Sequence, residues 1–247
     1  TLNYFKAERA DGRTPRFLWN AKMRFGKTFA AYQLARRLNA RRALILTFKP
    51  AVQTAWKEDL ETHLDFEGWQ FICREQGPDA QPIDEQYRQA DSGRPIVCFG
   101  SFQDFLGVNK ETGGIKPQHE WVREINWDLV IFDEYHFGAW KENAKALFLM
   151  EDEEEEYNTA PPETNTGNVC DEQDLPITAD HYLYLSGTPF RALNSGEFIE
   201  EQIYSWTYSD EQRAKAAWQG ENNPYAALPR MVLLTYRVPE DIRQIAL

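Results

Sequence analysis

The sequence predicts an α/β fold with a mostly parallel sheet and helices on both faces. Short apolar runs, each about as long as a β-strand, recur along the chain. In the first part of the chain they are separated by segments whose apolar residues recur at helical spacing. Alternation of strands and helices is typical of a parallel sheet, whose ligands bind beyond the carboxyl ends of the strands. Residues that directly follow the apolar runs are therefore the first candidates for a functional site.

The individual elements follow from local patterns. A predicted strand over 16–19 precedes a helix over 27–38, in which apolar residues recur every three or four positions. The dense apolar run 43–48 predicts a strand that is buried on both faces. Pro50 then begins a second helix, because proline fits the first helical turn. The remaining predicted strands cover 69–73, 95–99, 129–132, 182–185 and 231–236.

The composition is that of a globular protein. With 247 residues, of which 42% are apolar, the chain can build a full hydrophobic core. Its unbroken apolar stretches are far shorter than the roughly 20 residues of a membrane-spanning helix, so no membrane partner is expected. Three scattered cysteines predict neither a disulfide framework nor a zinc site, which favours a reducing, cytoplasmic compartment. Since the chain begins with threonine, we expect it to be a fragment of a longer protein.

The charged residues are unevenly distributed. The net charge of −12 argues against nucleic-acid binding, but eleven acids and no lysine or arginine lie within 151–180. The rest of the chain is therefore close to neutral, and basic grooves remain possible. Segment 151–180 is poor in apolar residues, which predicts a disordered surface insertion. The alternative is an acidic mimic that competes with nucleic acid for a basic groove.

A phosphate-binding loop is predicted between the first strand and the helix that follows it. Residues 21–28 match the pattern G-x-x-x-x-G-K-[ST], except that Ala21 replaces the first glycine. Backbone N–H groups at a helix N-terminus favour an anion, and Gly26 lets the backbone approach it closely. Lys27 can reach the β- and γ-phosphates, and the hydroxyl of Thr28 can bind Mg²⁺. The alternative is a helix start with a basic surface residue.

Two carboxylates follow the strand predicted over 129–132. At a strand tip, Asp133 can hold Mg²⁺, Glu134 can polarise an attacking water, and His136 can relay the state of the site. A strand that ends in a polar turn is the alternative for this segment alone. The phosphate loop and this tip occur in the order that P-loop enzymes require, with Lys27 and Asp133 106 positions apart.

A third motif, Ser-Gly-Thr-Pro over 186–189, lies at the tip of another predicted strand. Alone it predicts only a turn. Together, the segments 21–28, 133–136 and 186–189 resemble motifs of superfamily 2 helicases and translocases of the DExH type. The likeness is greatest to the first RecA-like motor domain of type I and type III restriction enzyme motor subunits. Segments 46–50 and 100–103 resemble two further motifs of this family, and the resemblance spans about 16–193.

The resemblance implies a RecA-like P-loop NTPase fold, ATP and Mg²⁺ as cofactors, and a role for each matching residue. Catalysis would fall to Glu134 as the base, with Asp133 and Lys27, and the metal ligands would be Thr28 and Asp133. The nucleotide would bind at Ala21, Arg24, Phe25, Gly26, Lys27 and Thr28. Coupling of hydrolysis to movement would fall to His136, Ser186 and Thr188. The nucleic-acid path would be lined by Lys49, Pro50, Ser101 and Phe102.

The sequence also departs from this family. Arg24 stands where many relatives carry glycine, and no segment that reads adenine is identified. Relatives need a second RecA-like domain that supplies arginine fingers, for which the 54 residues after 193 are too few. The tail over 194–247 would lead towards that domain. We therefore expect this chain to bind ATP with Mg²⁺ weakly and to hydrolyse it very slowly.

Aromatic residues over 204–208 precede a predicted helix over 210–218 in the tail. Asp210 is the expected N-cap of this helix, because a carboxylate can accept its free N–H groups. The aromatic side chains fit either a core or interdomain face, or a surface that stacks on bases.

The leading functional hypothesis is the ATP-binding motor domain of a DNA translocase, within a restriction or defence enzyme that acts on duplex DNA. Nuclease or methyltransferase modules would then lie in other domains or subunits. Motor motifs contact the nucleic-acid backbone, so they do not distinguish this from a repair or RNA helicase. An ATP-dependent switch or scaffold without transport, and a P-loop kinase, are further alternatives.

Overall fold

The computed structural model describes residues 1–78, 80–101, 105, 120–135, 177–187 and 196–228. The chain forms two compact units, Thr1–Thr207 and Tyr208–Leu247. In the described part of the first unit, nine strands are β1 (Arg16–Ala21), β2 (Arg42–Thr47), β3 (Gln70–Ile72), β4 (Ile96–Ser101), β5 (Asn126–Trp127), β6 (Leu129–Asp133), β7 (Thr178–Ala179), β8 (Tyr182–Ser186) and β9 (Ile203–Trp206).

Seven of these strands form one sheet in the order β3-β4-β2-β6-β8-β1-β9, and β5 pairs with β7 in a second, two-stranded sheet. Every pairing is parallel. The described helices are α1 (Leu2–Ala10), α2 (Lys27–Arg37), α3 (Gln53–Thr62), α4 (Ile83–Gln89) and α5 (Glu120–Glu124) in the first unit, and α6 (Tyr208–Ala217) in the second. None of the helices in the described segments is long and apolar enough to cross a membrane.

Both faces of the large sheet are buried. Ile45 and Ile131 point to the face that packs against Tyr32 of α2. Their neighbours Leu44 and Val130 point to the opposite face, where Val122 of α5 packs. Burial on two faces explains why the central strands are continuous apolar runs rather than alternating ones. The predicted α/β class, with a parallel sheet and helices on both faces, is confirmed.

The strands predicted before residue 190 are present, with ends shifted by one or two residues. The helix expected at Pro50 begins as a 3₁₀ turn, Pro50–Val52, which continues into α3. The strand predicted over 231–236 lies outside the described residues. Cys73 and Cys98 are buried, as expected.

Three features differ from the sequence predictions. Strand β9 belongs to the tail predicted from residue 194, yet it pairs with β1 in the main sheet. Residues 177–180 fall within the predicted insertion, yet β7 pairs with β5 and Ile177 is buried, so these four residues belong to the folded unit. Helix α6 begins at Tyr208, which places Asp210 in its first turn instead of at the N-cap. Residues 151–176 lie outside the described residues.

The described part of the second unit is α6 and the loop after it. The Lys215 ammonium donates to the carbonyl oxygens of Ala226 at 3.1 Å and Leu228 at 3.2 Å. The Asn223 side-chain amide donates to the carbonyl oxygen of Lys215 at 3.0 Å. These bonds fold the loop back along the helix that precedes it.

Candidate functional site

The carboxyl ends of the strands carry a row of buried polar side chains. In the described segments five polar or charged residues are buried, and four of them end strands: Thr47 of β2, Ser101 of β4, Asp133 of β6 and Ser186 of β8. Because β4, β2, β6 and β8 are successive neighbours in a parallel sheet, these four ends lie along one edge. Buried polar groups at a sheet edge indicate a functional site, since a core would favour apolar side chains.

The loop after β1 has the backbone of a phosphate-binding loop. Gly26 is the N-cap of α2 and has a φ of +83°, in the left-handed region that favours glycine. Arg24 also has a positive φ, +64°, at the position where glycine is common in the resembling family. Ala21, the last residue of β1, is fully buried, and its carbonyl oxygen accepts a 2.9 Å hydrogen bond from Lys27 Nζ. The lysine is therefore held back over the loop.

Lys27 lies within electrostatic reach of the acidic strand tip. Burial lowers the pKa of Lys27, and the nearby carboxylates of Glu134 and Asp133 oppose that shift. The third motif adjoins the same lysine: a Cβ atom added to Gly187 would lie 4.0 Å from Lys27 Nζ and 3.9 Å from the Ala21 carbonyl oxygen. The three motifs, distant in sequence, therefore meet at one place on the sheet edge.

Asp133 is only 6% exposed and is held by two hydrogen bonds. Its Oδ2 accepts from Trp56 Nε1 at 2.8 Å, and its Oδ1 accepts from the backbone N–H of Glu134 at 2.9 Å. Burial raises the pKa of Asp133, while both hydrogen bonds oppose the rise because they favour the charged carboxylate. The carboxylate is therefore fixed in one orientation at the end of β6.

Glu134 has a φ of +55°, which is uncommon for a residue other than glycine. Its side-chain oxygen Oε2 lies 3.6 Å from Nζ of Lys49. Lys49 follows β2, so this ion pair joins the loops after two adjacent strands. The predicted base and a residue predicted to contact nucleic acid are thus neighbours.

The hydroxyl of Thr28, in the first turn of α2, donates a hydrogen bond to Asp59 Oδ2 on α3. Thr28 and Asp133 are both oxygen donors, which Mg²⁺ prefers, and Mg²⁺ is usually held by one or two carboxylates together with substrate phosphates. The described residues contain no cluster of three histidine, cysteine or acidic ligands that would suit a metal held by protein alone. Two oxygen donors such as Thr28 and Asp133 fit a Mg²⁺ ion whose other ligands are phosphates.

Two of the residues predicted to contact nucleic acid share a cavity. Pro50 and Ser101 line a space of about 980 Å³, together with Lys57 and Arg74. The acidic Glu75 lines it as well, and Lys57 pairs with Glu61 at 3.8 Å, so its charged wall carries both signs. The predicted residues His136, Phe102 and Thr188 lie outside the described residues.

Sequence reasoning missed strand β9 beside the phosphate loop. The backbone N–H of Lys22 donates to the carbonyl oxygen of Trp206 at 3.1 Å. The ring of Phe25 lies 6.1 Å from that of Trp206 and 6.3 Å from that of Tyr204. The aromatic residues of the tail therefore flank the loop, and the apolar first and last residues of β9 were the signal for a strand.

Sequence reasoning also missed how Tyr135 links the second and third motifs. Its backbone N–H donates to the carbonyl oxygen of Leu185 at 2.8 Å, and its hydroxyl donates to Glu197 Oε1 at 2.8 Å. The same Glu197 oxygen lies 3.3 Å from an Arg16 nitrogen. Tyr135 is 1% exposed, so it fixes the backbone directly after the two carboxylates.

Comparison with known proteins gives one relative in sequence, and no family model matches the chain. The chain is 32% identical over 256 residues to "Putative type II restriction enzyme and methyltransferase RM.MpnORF110P C-terminus" from Mycoplasma pneumoniae. This match covers 96% of the chain but only 34% of that protein, so the chain spans about a third of the relative's length.

Solved structures give weaker matches. The SWI2/SNF2 ATPase core of Sulfolobus solfataricus in complex with dsDNA matches 76% of this chain and 31% of that chain, with 13% identity and a TM-score of 0.44. The UvsW helicase from bacteriophage T4 matches 82% of this chain and 59% of that chain, with 17% identity and a TM-score of 0.43. TM-scores below 0.5 do not establish a shared fold.

Proposed function

We propose that this chain is the ATP-binding first motor domain of a DNA translocase in a restriction or defence enzyme. The observation that supports it most strongly is that the phosphate loop after β1, the carboxylates at the end of β6 and Gly187 after β8 lie at the carboxyl ends of neighbouring strands. A phosphate loop beside a carboxylate pair at a strand tip is the arrangement that phosphoryl transfer from ATP requires. The name of the Mycoplasma relative supports a restriction system as the setting.

Each residue then has a chemical task. Lys27 and the backbone of 24–28 bind the β- and γ-phosphates, and Ala21 holds the lysine over the loop. Thr28 and Asp133 would hold Mg²⁺, which would neutralise negative charge on the phosphates. Glu134 orients the attacking water and accepts its proton. Hydrolysis transfers the γ-phosphoryl group to that water and leaves ADP and phosphate.

Nucleic acid would bind along the other half of the sheet edge. Lys49, Pro50, Ser101 and Phe102 are the proposed contacts. Lys57 and Arg74 line the cavity that Pro50 and Ser101 share, together with the acidic Glu75. Because Lys49 pairs with Glu134, this surface reaches the hydrolytic site directly. His136, Ser186 and Thr188 are proposed to couple hydrolysis to movement.

The proposed partners are duplex DNA, a second RecA-like domain, and the nuclease or methyltransferase modules of the intact enzyme. The second domain would supply an arginine finger, which is worth about 10³–10⁵ in turnover. We therefore expect the isolated chain to bind ATP weakly and to turn it over very slowly.

The ATPase rate of the full-length gene product tests this function. It is measured without nucleic acid and with single-stranded DNA, duplex DNA or RNA, and Glu134→Gln is the inactive reference. Strong stimulation by duplex DNA is expected for a translocase. A preference for single strands or RNA would favour a repair or RNA helicase, and ATP binding without any stimulation would favour a switch or scaffold.

A further inference from the structure

Helix α3 contacts both of the proposed Mg²⁺ ligands, although none of its side chains belongs to the three motifs. Trp56 donates to Asp133 on β6, and Asp59 accepts from Thr28 on α2. These two residues are three positions apart on α3, which places them on one face of the helix. One face of α3 therefore holds side chains from two separate elements of the site.

Trp56 fixes the orientation of the Asp133 carboxylate. The indole is fully buried, and its N–H is 2.8 Å from Asp133 Oδ2. Tyr32 of α2 holds Trp56 in turn, with its ring edge-on at 5.2 Å and its hydroxyl donating to the Trp56 carbonyl oxygen at 2.9 Å. Within the described segments each Asp133 oxygen accepts one hydrogen bond, and a carboxylate oxygen has a second lone pair that can bind a cation.

Asp59 fixes the hydroxyl of Thr28. A hydroxyl that donates its proton to a carboxylate turns its oxygen lone pairs away from that acceptor. Those lone pairs are what a cation needs. The Thr28 oxygen is thereby prepared as a metal ligand before any ligand arrives.

We propose that Trp56 and Asp59 are positioning residues that set the two protein oxygen ligands of Mg²⁺, Asp133 and Thr28, from one face of α3. This inference rests on the proposed function, because it assigns Mg²⁺ to that site. Mutation of a residue that orients a metal ligand typically weakens metal binding by about 10- to 100-fold. The effect should therefore appear in Mg²⁺-dependent binding and be absent when Mg²⁺ is removed.

The test measures the dissociation constant of a fluorescent ADP in EDTA and in Mg²⁺, by anisotropy, on the whole chain. Trp56→Phe keeps an aromatic ring and removes the N–H donor. Its matched control is Trp69→Phe, since Trp69 packs on the same Tyr32 at 6.4 Å and has no contact with the site in the described structure. Asp59→Ala is compared with Glu58→Ala, an exposed carboxylate on the same helix.

For wild type and both controls, we expect Mg²⁺ to tighten ADP binding. In Trp56→Phe and in Asp59→Ala, this increase in affinity should be about tenfold smaller than in wild type, and the affinity in EDTA should be unchanged. A purely structural role would instead weaken binding equally in both conditions and lower the melting temperature. Asp59 is partly exposed, so Asp59→Ala remains informative even if Trp56→Phe does not fold.

Two kinds of result would overturn the inference. The first is that Mg²⁺ tightens ADP binding to Trp56→Phe and Asp59→Ala as much as it does to wild type, or tightens it more in Asp59→Ala than in wild type. Helix α3 then does not position the metal ligands. If wild type binds no ADP in either condition, the proposed function fails as well, and the two failures are thereby distinguished.

Discussion

The charge of Lys27 should decide whether the chain binds nucleotide. Lys27→Met keeps a long unbranched side chain but removes the ammonium that hydrogen-bonds the Ala21 carbonyl oxygen at 2.9 Å. It also removes one of the cations near the carboxylates of Asp133 and Glu134, and leaves Lys49 as the ion-pair partner of Glu134. A phosphate in the loop would then face these carboxylates without the ammonium of residue 27.

The size of the effect follows from the contacts. A hydrogen bond to a charged group contributes about 1.5–3 kcal/mol, and about 1.4 kcal/mol corresponds to a factor of ten in affinity. Lys27 is already half-buried and held over the loop, so it loses little freedom when phosphate binds. The upper end of that range applies, and we expect Lys27→Met to weaken nucleotide binding by about 100-fold.

Titration with a fluorescent ADP in the presence of Mg²⁺ measures this change. Lys6→Met is the control, because it removes the same charge from an exposed position on α1. Circular dichroism confirms that each variant is folded. A dissociation constant for folded Lys27→Met within about threefold of wild type would refute the phosphate-loop assignment, since about 0.65 kcal/mol is less than one such hydrogen bond.

Three further predictions concern the base, the pH dependence and the packing beside the site. Glu134→Gln in the full-length protein should bind ATP normally but lose at least about 100-fold in turnover, as expected for a general base; retained turnover would exclude Glu134 from that role. Because burial lowers the pKa of Lys27, ADP affinity should fall as the pH rises, at a pH below the ordinary lysine pKa of about 10.4. If the pH dependence of ADP affinity were the same in wild type and in Lys27→Met, this prediction would be wrong. Gly100→Ala should lower the free energy of unfolding by about 1–3 kcal/mol, because its Cβ would lie 2.2 Å from Phe105 Cε2. Urea unfolding measures this free energy, and the double variant Gly100→Ala with Phe105→Leu should recover part of the loss. An unfolding midpoint for Gly100→Ala equal to that of wild type would contradict the prediction, because the structure would then accommodate the added methyl group without cost.

The parts of the site that local sequence encodes could be predicted. The phosphate loop needs a strand, a left-handed glycine and a helix within about a dozen residues, and residues 16–28 contain all three. Asp133 and Glu134 were identifiable because carboxylates directly follow an apolar run. Two buried faces produced dense apolar strands, which made the parallel sheet predictable.

Contacts across the fold could not be predicted in the same way. Trp56 and Asp133 are 77 residues apart, and Thr28 and Asp59 are 31 apart, so only the packed topology brings each pair together. In the sequence Trp56 looks like an ordinary core residue, because a hydrophobic pattern does not show whether an indole N–H donates a hydrogen bond. Strand β9 was missed since it has four residues, two of them exposed at its middle, and aromatic side chains that fit several environments.

A crystal structure of the chain with Mg²⁺ and a non-hydrolysable ATP analogue would show directly whether nucleotide and metal bind at this site. We expect the β- and γ-phosphates to contact Lys27 Nζ and the loop amides, with Mg²⁺ near Thr28 and Asp133 and the γ-phosphate facing Glu134. Nucleotide bound elsewhere, or phosphates in the loop with a metal that contacts neither Thr28 nor Asp133, would contradict this expectation.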